Sequence, residues 1–287
     1  MPFLPEIAMK SSPSAAPSKS ASRGNGGVAG TALVTGASSG MGLEFAKQLA
    51  AKGFTLLVAG NREAELLEAA ALLRSQYGVR VEARCIDLAE AGSAAALLAW
   101  CDGMGLVPDV LINNAGMFFM EYLGARNAGK AEAMMRLHVE TATLLCILFG
   151  ERMKARGSGF ILNMSSMTAR IPAPGIAVYS ASKAYLKSFG RSFSYEMRPF
   201  GVRVTTVCPA AVDTGLYPLG DGLRKVGRAL GLIWTPERMV RRALRALFRG
   251  RRVVCPGMVN ALLPPLISIL PARLIDRLGM AWIYRND

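Results

Sequence analysis

Histidine is almost absent from this chain: one residue, His138, stands among 287. A metal site built mainly from imidazole ligands is therefore excluded, and a Ser-His-Asp hydrolase would have to use His138. Cysteine is scarce too, and the five residues have neither the even number of a disulfide framework nor the spacing of metal ligands: Cys85, Cys101, Cys146, Cys208 and Cys255. We therefore expect reduced thiols in an intracellular protein, and no bound metal.

Acidic residues are missing from one long stretch near the C-terminus. The chain carries a formal net charge of +14, and eight arginines without any acid lie between Arg238 and Ile275. Such an asymmetry indicates an acidic partner or surface for this region. The stretch has no interleaved aromatic residues and no recognised nucleic-acid-binding motif, so we expect no nucleic acid.

The first 27 residues lack a continuous apolar run and are rich in Ser, Ala, Pro, Lys and Gly. This composition predicts a disordered tail over residues 1–27 and differs from that of a secretory signal. An organellar transit peptide is the alternative, but the amphipathic arginine-rich pattern of such peptides is missing. We expect a cytoplasmic protein, with membrane association as the open alternative.

Short β-rich runs alternate with longer helical patterns after the tail. The predicted strands are Thr31–Thr35, Thr55–Ala59, Val79–Ile86, Val110–Ile112, Gly159–Met164 and Val202–Val207. The predicted helices are Met41–Lys52, Glu63–Tyr77, Ala91–Cys101, Ala131–Arg156 and Tyr179–Met197. Because the strands are apolar on both faces, this alternation predicts a single-domain α/β fold over residues 28–287, a Rossmann-type doubly wound parallel sheet flanked by helices.

A glycine-rich turn follows the first predicted strand and opens the first helix. Its glycines are spaced G-x-x-x-G-x-G, and the residues predicted to meet a cofactor there are Gly36, Ser38, Ser39, Gly40, Met41 and Gly42. Glycine permits a tight turn and the close approach of a pyrophosphate, and the free N–H groups of a helix N-terminus attract phosphate. A glycine-rich turn without a ligand is the alternative.

The end of the second predicted strand bears on the choice of cofactor. An acid there would bind the ribose of NAD, but the segment reads Ala59-Gly60-Asn61-Arg62. We therefore predict cofactor contacts at Asn61 and Arg62 and favour NADP(H) over NAD(H), with Arg62 on the 2′-phosphate; a solvated first-turn arginine is the alternative. Asp87 and Leu88 follow the third strand at the adenine edge, although Asp87 could instead be a helix N-cap.

Tyr179 and Lys183 are spaced i, i+4 on a predicted helix, so both side chains leave the same face. The ammonium of Lys183 stabilises a phenolate and so lowers the pKa of Tyr179 toward the working pH. Such a phenol can donate a proton to a carbonyl oxygen or accept one from an alcohol. Ser166 ends a strand 13 residues earlier, from where its hydroxyl can hold the same substrate oxygen.

Five segments that occur in this order resemble the classical short-chain dehydrogenase/reductase family over roughly residues 28–215: Thr35–Gly42, Asn113–Gly116, Ser166, Tyr179–Lys183 and Pro209–Thr214. The resemblance implies carbonyl–alcohol interconversion with a nicotinamide cofactor, in a homodimer or homotetramer. It implies that Ser166 orients the substrate, that Tyr179 is the acid/base and that Lys183 binds the cofactor ribose. Further implied cofactor contacts are Asn114, Ala115, Gly116, Pro209, Val212 and Thr214.

His138 departs from the family pattern. It stands where the family carries a helix asparagine, which holds a water that relays protons from the lysine. His138 is therefore a candidate catalytic relay, because an imidazole titrates near neutrality. The alternative is a histidine that fills core space while another group or water carries the relay. A milder departure is Pro209-Ala210, where the family usually has Pro-Gly.

Residues 215–235 are apolar and glycine-rich, which is typical of a mobile substrate lid, although an ordinary packed helix pair is the alternative. Either reading favours a lipophilic ketone or alcohol as the substrate. In the basic and apolar region 236–287, Pro236–Phe248 is a predicted helix with one arginine face, and Val253–Ala272 has 20 residues without charge. Four prolines predict a broken apolar segment there rather than a spanning helix. The segment then packs within the protein or between subunits, or contacts a membrane surface peripherally.

These observations predict an NADP(H)-dependent oxidoreductase that acts on a small lipophilic carbonyl compound or secondary alcohol. A nicotinamide-binding scaffold or sensor with little turnover is the competing function, which the unusual His138 keeps open. Turnover of lipophilic ketones separates the two.

Overall fold

The computed structural model describes residues 30–171, 174–214, 233–271 and 273–274. The predicted tail 1–27 and residues 215–232 of the predicted lid lie outside these described ranges. The strands are β1 (Thr31–Thr35), β2 (Thr55–Gly60), β3 (Val81–Cys85), β4 (Val110–Asn113), β5 (Gly159–Met164), β6 (Val202–Val207) and β7 (Val253–Val254). The helices are α1 (Gly40–Ala50), α2 (Glu63–Tyr77), α3 (Ser93–Gly103), α4 (Ala128–Met135), α5 (Ala142–Arg156), α6 (Ala177–Met197), α7 (Pro236–Phe248) and α8 (Met258–Ser268).

The strands form one parallel sheet in the order β3-β2-β1-β4-β5-β6-β7. The chain moves outward from β1 to β3 and then returns to place β4 on the other side of β1. Because the winding direction reverses between β1 and β4, the loops at their carboxyl ends separate and leave a crevice. The predicted doubly wound parallel sheet is confirmed.

Alternate side chains of each strand enter two apolar layers, one on each face of the sheet. On β1, Ala32 and Val34 join the layer covered by α1, α2 and α7, whereas Leu33 joins the layer covered by α3, α5 and α6. Phe45 and Phe149 are the largest fully buried side chains of these layers. Burying each ring contributes about 1.5–3 kcal/mol. The sheet is therefore a rigid base for the loops at its carboxyl edge.

A nearly continuous helical stretch, Ala125–Arg156, is long and apolar enough by length and composition alone to cross a membrane. Its most apolar window has a mean hydropathy of 1.3 and is 44% buried inside the protein, where Leu145 and Phe149 pack on the sheet. A π-helical turn, Arg136–Thr141, interrupts the stretch between α4 and α5. The helix predicted over Ala131–Arg156 is therefore present, but it contains a local widening at His138.

Two elements of the C-terminal region differ from the prediction. Val253–Val254 adds a short strand beside β6, and α8 has Pro264 and Pro265 in its interior. Pro264 has no N–H for the carbonyl of Asn260 one turn earlier. The guanidinium of Arg170 donates to that carbonyl instead, at 2.9 Å. Residues 253–271 are thus divided into β7 and α8 and do not form one spanning helix, but Pro264 and Pro265 do not interrupt α8, because a distant side chain replaces the missing donor.

Candidate active site

In the turn between β1 and α1, two backbone segments lie in close contact. Gly36 and Gly40 have φ angles of 66° and 54°, in the left-handed region that favours glycine. A Cβ on Gly42 would lie 1.9 Å from the carbonyl oxygen of Gly36. The amide of Asn114 donates to the carbonyls of Thr35 and Gly36, at 3.1 and 3.4 Å, and so fixes the turn from the β4 side. The turn and the N-terminus of α1 form a cradle of the kind that binds phosphate.

A crevice of about 510 Å³ extends from this cradle along the carboxyl edge of the sheet. Every residue predicted to bind a cofactor lines it: Gly36, Ser38, Ser39, Gly40, Met41, Gly42, Asn61, Arg62, Asp87, Leu88, Asn114, Ala115, Gly116, Tyr179, Lys183, Pro209, Val212 and Thr214. The residues missed from the sequence are Gly60, Ile86, Ala89, Met117, Ala133, Leu137, Met164, Ser165 and Ala210. Most of these residues are apolar and stand next to one of the predicted motifs in the sequence. Their position beside a motif was the only feature of the sequence from which they could have been predicted.

Arg62 lies over the glycine-rich turn at the end of β2. Its guanidinium donates to Ser39 Oγ at 2.5 Å and to Ser38 Oγ at 3.2 Å. It also pairs with Glu65 at 2.6 Å, but both side chains are about half exposed, so this ion pair contributes at most about 1 kcal/mol. One guanidinium and two hydroxyls therefore converge where an adenosine 2′-phosphate would lie in a fold of this type.

Asp87 does not cap the helix that follows it. Helix α3 begins at Ser93 with Gly92 as its N-cap, so the N-cap interpretation of Asp87 is wrong. The carboxylate instead accepts the backbone N–H of Ala89 at 2.9 Å. This bond holds the turn after β3 and leaves Asp87 on the crevice wall, beside Leu88.

Tyr179 and Lys183 line the crevice from the first turns of α6, and both are buried. Lys183 Nζ donates to the carbonyl of Met164 at 3.1 Å and lies 5.6 Å from the centre of the Tyr179 ring. Phe118 packs edge-on against that ring, with 5.0 Å between ring centres. Ser166, buried at the end of β5, accepts the N–H of Thr168 on its hydroxyl oxygen at 3.2 Å.

Burial lowers the pKa of Lys183 from its ordinary value to about 8. The ammonium has lost its hydration and keeps a backbone carbonyl in its place. At neutral pH the side chain is still charged, so it can stabilise a phenolate on Tyr179. Above a pH of about 8 this charge disappears.

His138 is buried in the π-helical turn, and both of its ring nitrogens have partners. Nε2 accepts the N–H of Met117 at 3.1 Å. Nδ1 therefore carries the proton and donates to Ser182 Oγ at 3.0 Å, and Ser182 donates in turn to the carbonyl of Tyr179 at 2.8 Å. Burial and then the charge of Lys183 lower the pKa of His138 well below its ordinary value. The imidazole is neutral and connects the loop after β4 to α6.

The crevice fits a nicotinamide dinucleotide, because both a phosphate cradle and a buried phenol and ammonium line it. Such a cofactor, when bound, donates or accepts a hydride. Tyr179 and Lys183 line this crevice, whereas Ser166 is buried just beyond the end of β5 and is not among its lining residues. The fold and the crevice together define a class of protein, the NAD(P)-binding proteins with a Rossmann-type fold.

A family model described as short chain dehydrogenase matches residues 30–218. The chain therefore belongs to the short-chain dehydrogenase/reductase family, and the resemblance noted from its motifs is confirmed. The very-long-chain 3-oxoacyl-CoA reductase of Eremothecium gossypii is 34% identical over 232 residues, which is 77% of this chain and 63% of that protein. The chain thus spans about 63% of the length of this curated relative.

Solved structures share the fold. A short-chain dehydrogenase from Sphingobium yanoikuyae in complex with NADPH has a TM-score of 0.70 and 28% identity, over 84% of this chain and 96% of that one. The bulky-bulky ketone specific alcohol dehydrogenase from Comamonas testosteroni has a TM-score of 0.71 and 25% identity, over 85% and 96%. Both neighbours support the predicted Rossmann-type fold, and the first of them was solved with NADPH bound.

Proposed function

We propose that this protein interconverts a lipophilic ketone and a secondary alcohol with NADP(H). The observation that carries the proposal is one crevice that the phosphate cradle, Arg62 and the buried pair Tyr179–Lys183 all line. In the reductive direction, Tyr179 gives its phenolic proton to the carbonyl oxygen that Ser166 holds. Lys183 stabilises the phenolate that is left.

The surroundings of Tyr179 support a lipophilic substrate. Its ring belongs to an apolar cluster with Met134 and Ile176, and the loop after β4 packs against that cluster with four partly buried side chains, Met117, Phe118, Phe119 and Met120. Relatives named for very-long-chain 3-oxoacyl-CoA and for bulky ketones fit the same chemistry. An apolar wall of this kind binds an alkyl chain by excluding water from it.

Oxidation of NADPH with a panel of ketones and 3-oxoacyl thioesters of increasing chain length tests this function. We expect kcat/KM to rise with chain length, because each buried methylene contributes about 0.8 kcal/mol. Binding of NADPH without turnover of any member of the panel would instead support the scaffold or sensor.

We expect Arg62→Ala to lower kcat/KM for NADPH about tenfold or more and to leave NADH unchanged, because a hydrogen bond to a charged group is worth about 1.5–3 kcal/mol. The measurement is the ratio of kcat/KM for the two cofactors. Arg80→Ala is the matched control, since that guanidinium is equally exposed and pairs with Glu82 away from the crevice. An unchanged ratio in Arg62→Ala contradicts the assignment of a 2′-phosphate site.

For His138 we propose a positioning role in place of a proton relay. A relay at this position needs a ring nitrogen that gains and loses a proton near neutral pH. Here Nε2 holds the N–H of Met117, Nδ1–H holds Ser182, and the lowered pKa keeps the ring neutral. The imidazole thereby fixes the backbone carbonyl of Tyr179 through Ser182.

The pH dependence of kcat/KM for NADPH distinguishes these roles. We expect one falling limb above a pH of about 8, where the ammonium of Lys183 is lost, with a slope of about tenfold per pH unit. No limb is expected between about pH 6 and 7, since His138 does not titrate there. A limb in that range that disappears in His138→Asn would contradict the positioning role and restore the relay.

We further propose that the protein contacts an anionic membrane surface and forms a homo-oligomer. On α8 and just after it, Leu262, Leu266 and Ile269 share one helical face and are 65%, 54% and 76% exposed. Helix α7 has an arginine face opposite its buried residues Met239, Val240, Ala243 and Leu247. On α5 and α6 the exposed apolar residues Leu144, Ile147 and Tyr185 favour a contact between subunits. An exposed apolar face and an arginine face in the same C-terminal region both favour an anionic bilayer.

Light scattering gives the mass of the oligomer and so tests the contact between subunits. Flotation with phosphatidylglycerol liposomes then tests the membrane face. We expect a dimer or tetramer that floats, and a Leu266→Glu/Ile269→Glu variant that stays at the bottom of the gradient. Leu67→Glu, exposed on α2, is the matched control and should still float. A monomer contradicts the oligomer, and a double variant that floats like the wild type contradicts the membrane face.

A further inference from the structure

Two cysteines end the last two strands of the sheet side by side. Thr206 pairs with Val253 and Val207 with Val254 in the parallel ladder of β6 and β7. The N–H of Cys208 donates to the carbonyl of Val254 at 2.8 Å, which continues this register by one residue. Cys208 therefore lies beside Cys255.

The geometry of a parallel ladder brings these two side chains together. Neighbouring strands are about 4.8 Å apart, and residues in register point to the same face. A disulfide spans Cα atoms that are roughly 4.4–6.8 Å apart. The thiols of Cys208 and Cys255 are close enough for each to shift the pKa of the other.

The backbone on both sides of the pair is held in place by one buried amide. Asn260 donates from Nδ2 to the carbonyl of Cys208 and to the carbonyl of Pro256, each at 2.8 Å. The segments that carry the two cysteines are thus tied to the same side chain. Joining the two sulfur atoms needs little backbone movement.

The two thiols have different surroundings. Cys208 is fully buried, whereas Cys255 is partly exposed. The hydrogen bond from Cys208, together with the positive charges of Arg170 and Lys187, lowers the pKa of Cys255 to about 6. The bond to Cys255 and burial hold the pKa of Cys208 well above its ordinary value. Cys255 is therefore the nucleophilic, accessible thiolate and Cys208 the protected thiol behind it.

We propose that Cys208 and Cys255 form a reversible disulfide when the protein meets hydrogen peroxide or an organic hydroperoxide. The Cys255 thiolate attacks the peroxide, its O–O bond breaks, and a sulfenic acid and hydroxide (or alkoxide) result. The Cys208 sulfur then attacks the sulfenyl sulfur, the S–O bond breaks, and the oxygen leaves as water with the Cys208 proton. The two sulfurs together lose two electrons, which the peroxide accepts.

The bridge would act on the cofactor site, because Cys208 directly precedes Pro209 on the crevice wall. The side chain of Ser165 also lies near the Cys208 thiol, since it opposes the rise in the pKa of that thiol. Ser165 in turn donates to the carbonyl of Lys183 at 2.7 Å and precedes Ser166 in the chain. Pulling the Cys208 sulfur toward Cys255 removes its contact with Ser165, so oxidation should weaken NADPH binding.

Mass spectrometry of the full-length protein, treated with hydrogen peroxide and then alkylated, tests the bridge. We expect a peptide that links Cys208 to Cys255 and disappears on treatment with dithiothreitol. In Cys208→Ala the resolving thiol is gone, so Cys255 should accumulate as sulfinic or sulfonic acid. Two results would overturn the proposal. In the first, Cys255 of the wild type is over-oxidised while Cys208 can still be alkylated; in the second, Cys255 is not oxidised at all.

NADPH fluorescence on the same samples tests the consequence for the cofactor site. We expect the Kd to rise about threefold or more on oxidation, as is usual for coupling through packed elements, and to recover with dithiothreitol. Cys255→Ser should show no response, whereas Cys85→Ser, which removes an exposed cysteine away from the pair, should respond like the wild type. A bridge that forms without changing the Kd refutes the coupling to the crevice.

Discussion

Tyr179→Phe is expected to lower kcat about 10²–10⁴-fold, the contribution of a positioned general acid, and to leave the Kd for NADPH within about threefold. The change removes the Oη atom alone. The ring keeps its contact with Phe118 and its place beside Lys183, so the packing around the crevice is preserved. Steady-state turnover with the best ketone of the panel and NADPH fluorescence give the two values.

The matched control is Tyr185→Phe, six residues further along the same helix. That hydroxyl is exposed and lies 3.0 Å from Thr143 Oγ1, away from the crevice. Its removal should change neither turnover nor NADPH binding. Turnover in Tyr179→Phe close to that of the wild type would exclude the phenol as the proton donor.

Gly42→Ala is expected to raise the Kd for NADPH at least about tenfold and to lower the melting temperature. The new Cβ would lie 1.9 Å from the carbonyl oxygen of Gly36 and 2.7 Å from Asn114 Nδ2. Backbone must move to accept it, and overpacking of this kind costs about 1–3 kcal/mol. Helix α1 would shift away from the turn, and its N-terminus would no longer point at the phosphates. Thermal unfolding with and without NADPH measures both effects.

Gly129→Ala is the control for that variant, because a Cβ on this glycine of α4 has no neighbour within 4 Å. Gly129 lies in the first turn of α4, where alanine is favoured over glycine by at most the roughly 0.5–1 kcal/mol of a helix interior. The control should therefore melt at a slightly higher temperature with unchanged NADPH binding. If both alanine variants behave alike, the close approach at Gly42 has no part in holding the cofactor.

The sequence was most informative where the determining contacts are local. The spacing of Gly36, Gly40 and Gly42 follows from a single turn, and that of Tyr179 and Lys183 from the pitch of a helix. Both patterns can be recognised without knowing what else packs nearby. The parallel sheet followed likewise from apolar runs and their alternation with helices.

Contacts between distant parts of the chain were not predictable in the same way. Prolines inside an apolar segment predict a break, and the donor that lets α8 continue past Pro264 is Arg170, 90 residues from Asn260. The partners of His138 are Met117 and Ser182, which are 21 and 44 residues away. Residue type and spacing alone could not tell a titrating relay from a neutral connector.

The bond from Arg170 to the carbonyl of Asn260 also constrains how this sequence can drift. Arg170 ends the short turn that begins right after Ser166, whereas Pro264 lies in α8. While position 264 is proline, the carbonyl of Asn260 needs Arg170 as its hydrogen-bond donor. Any other residue at position 264 would have a backbone N–H that can donate to this carbonyl. Descendants of this gene should therefore lose Arg170 readily only after Pro264 has gone, so the order of the two substitutions in a lineage is fixed by one missing N–H group.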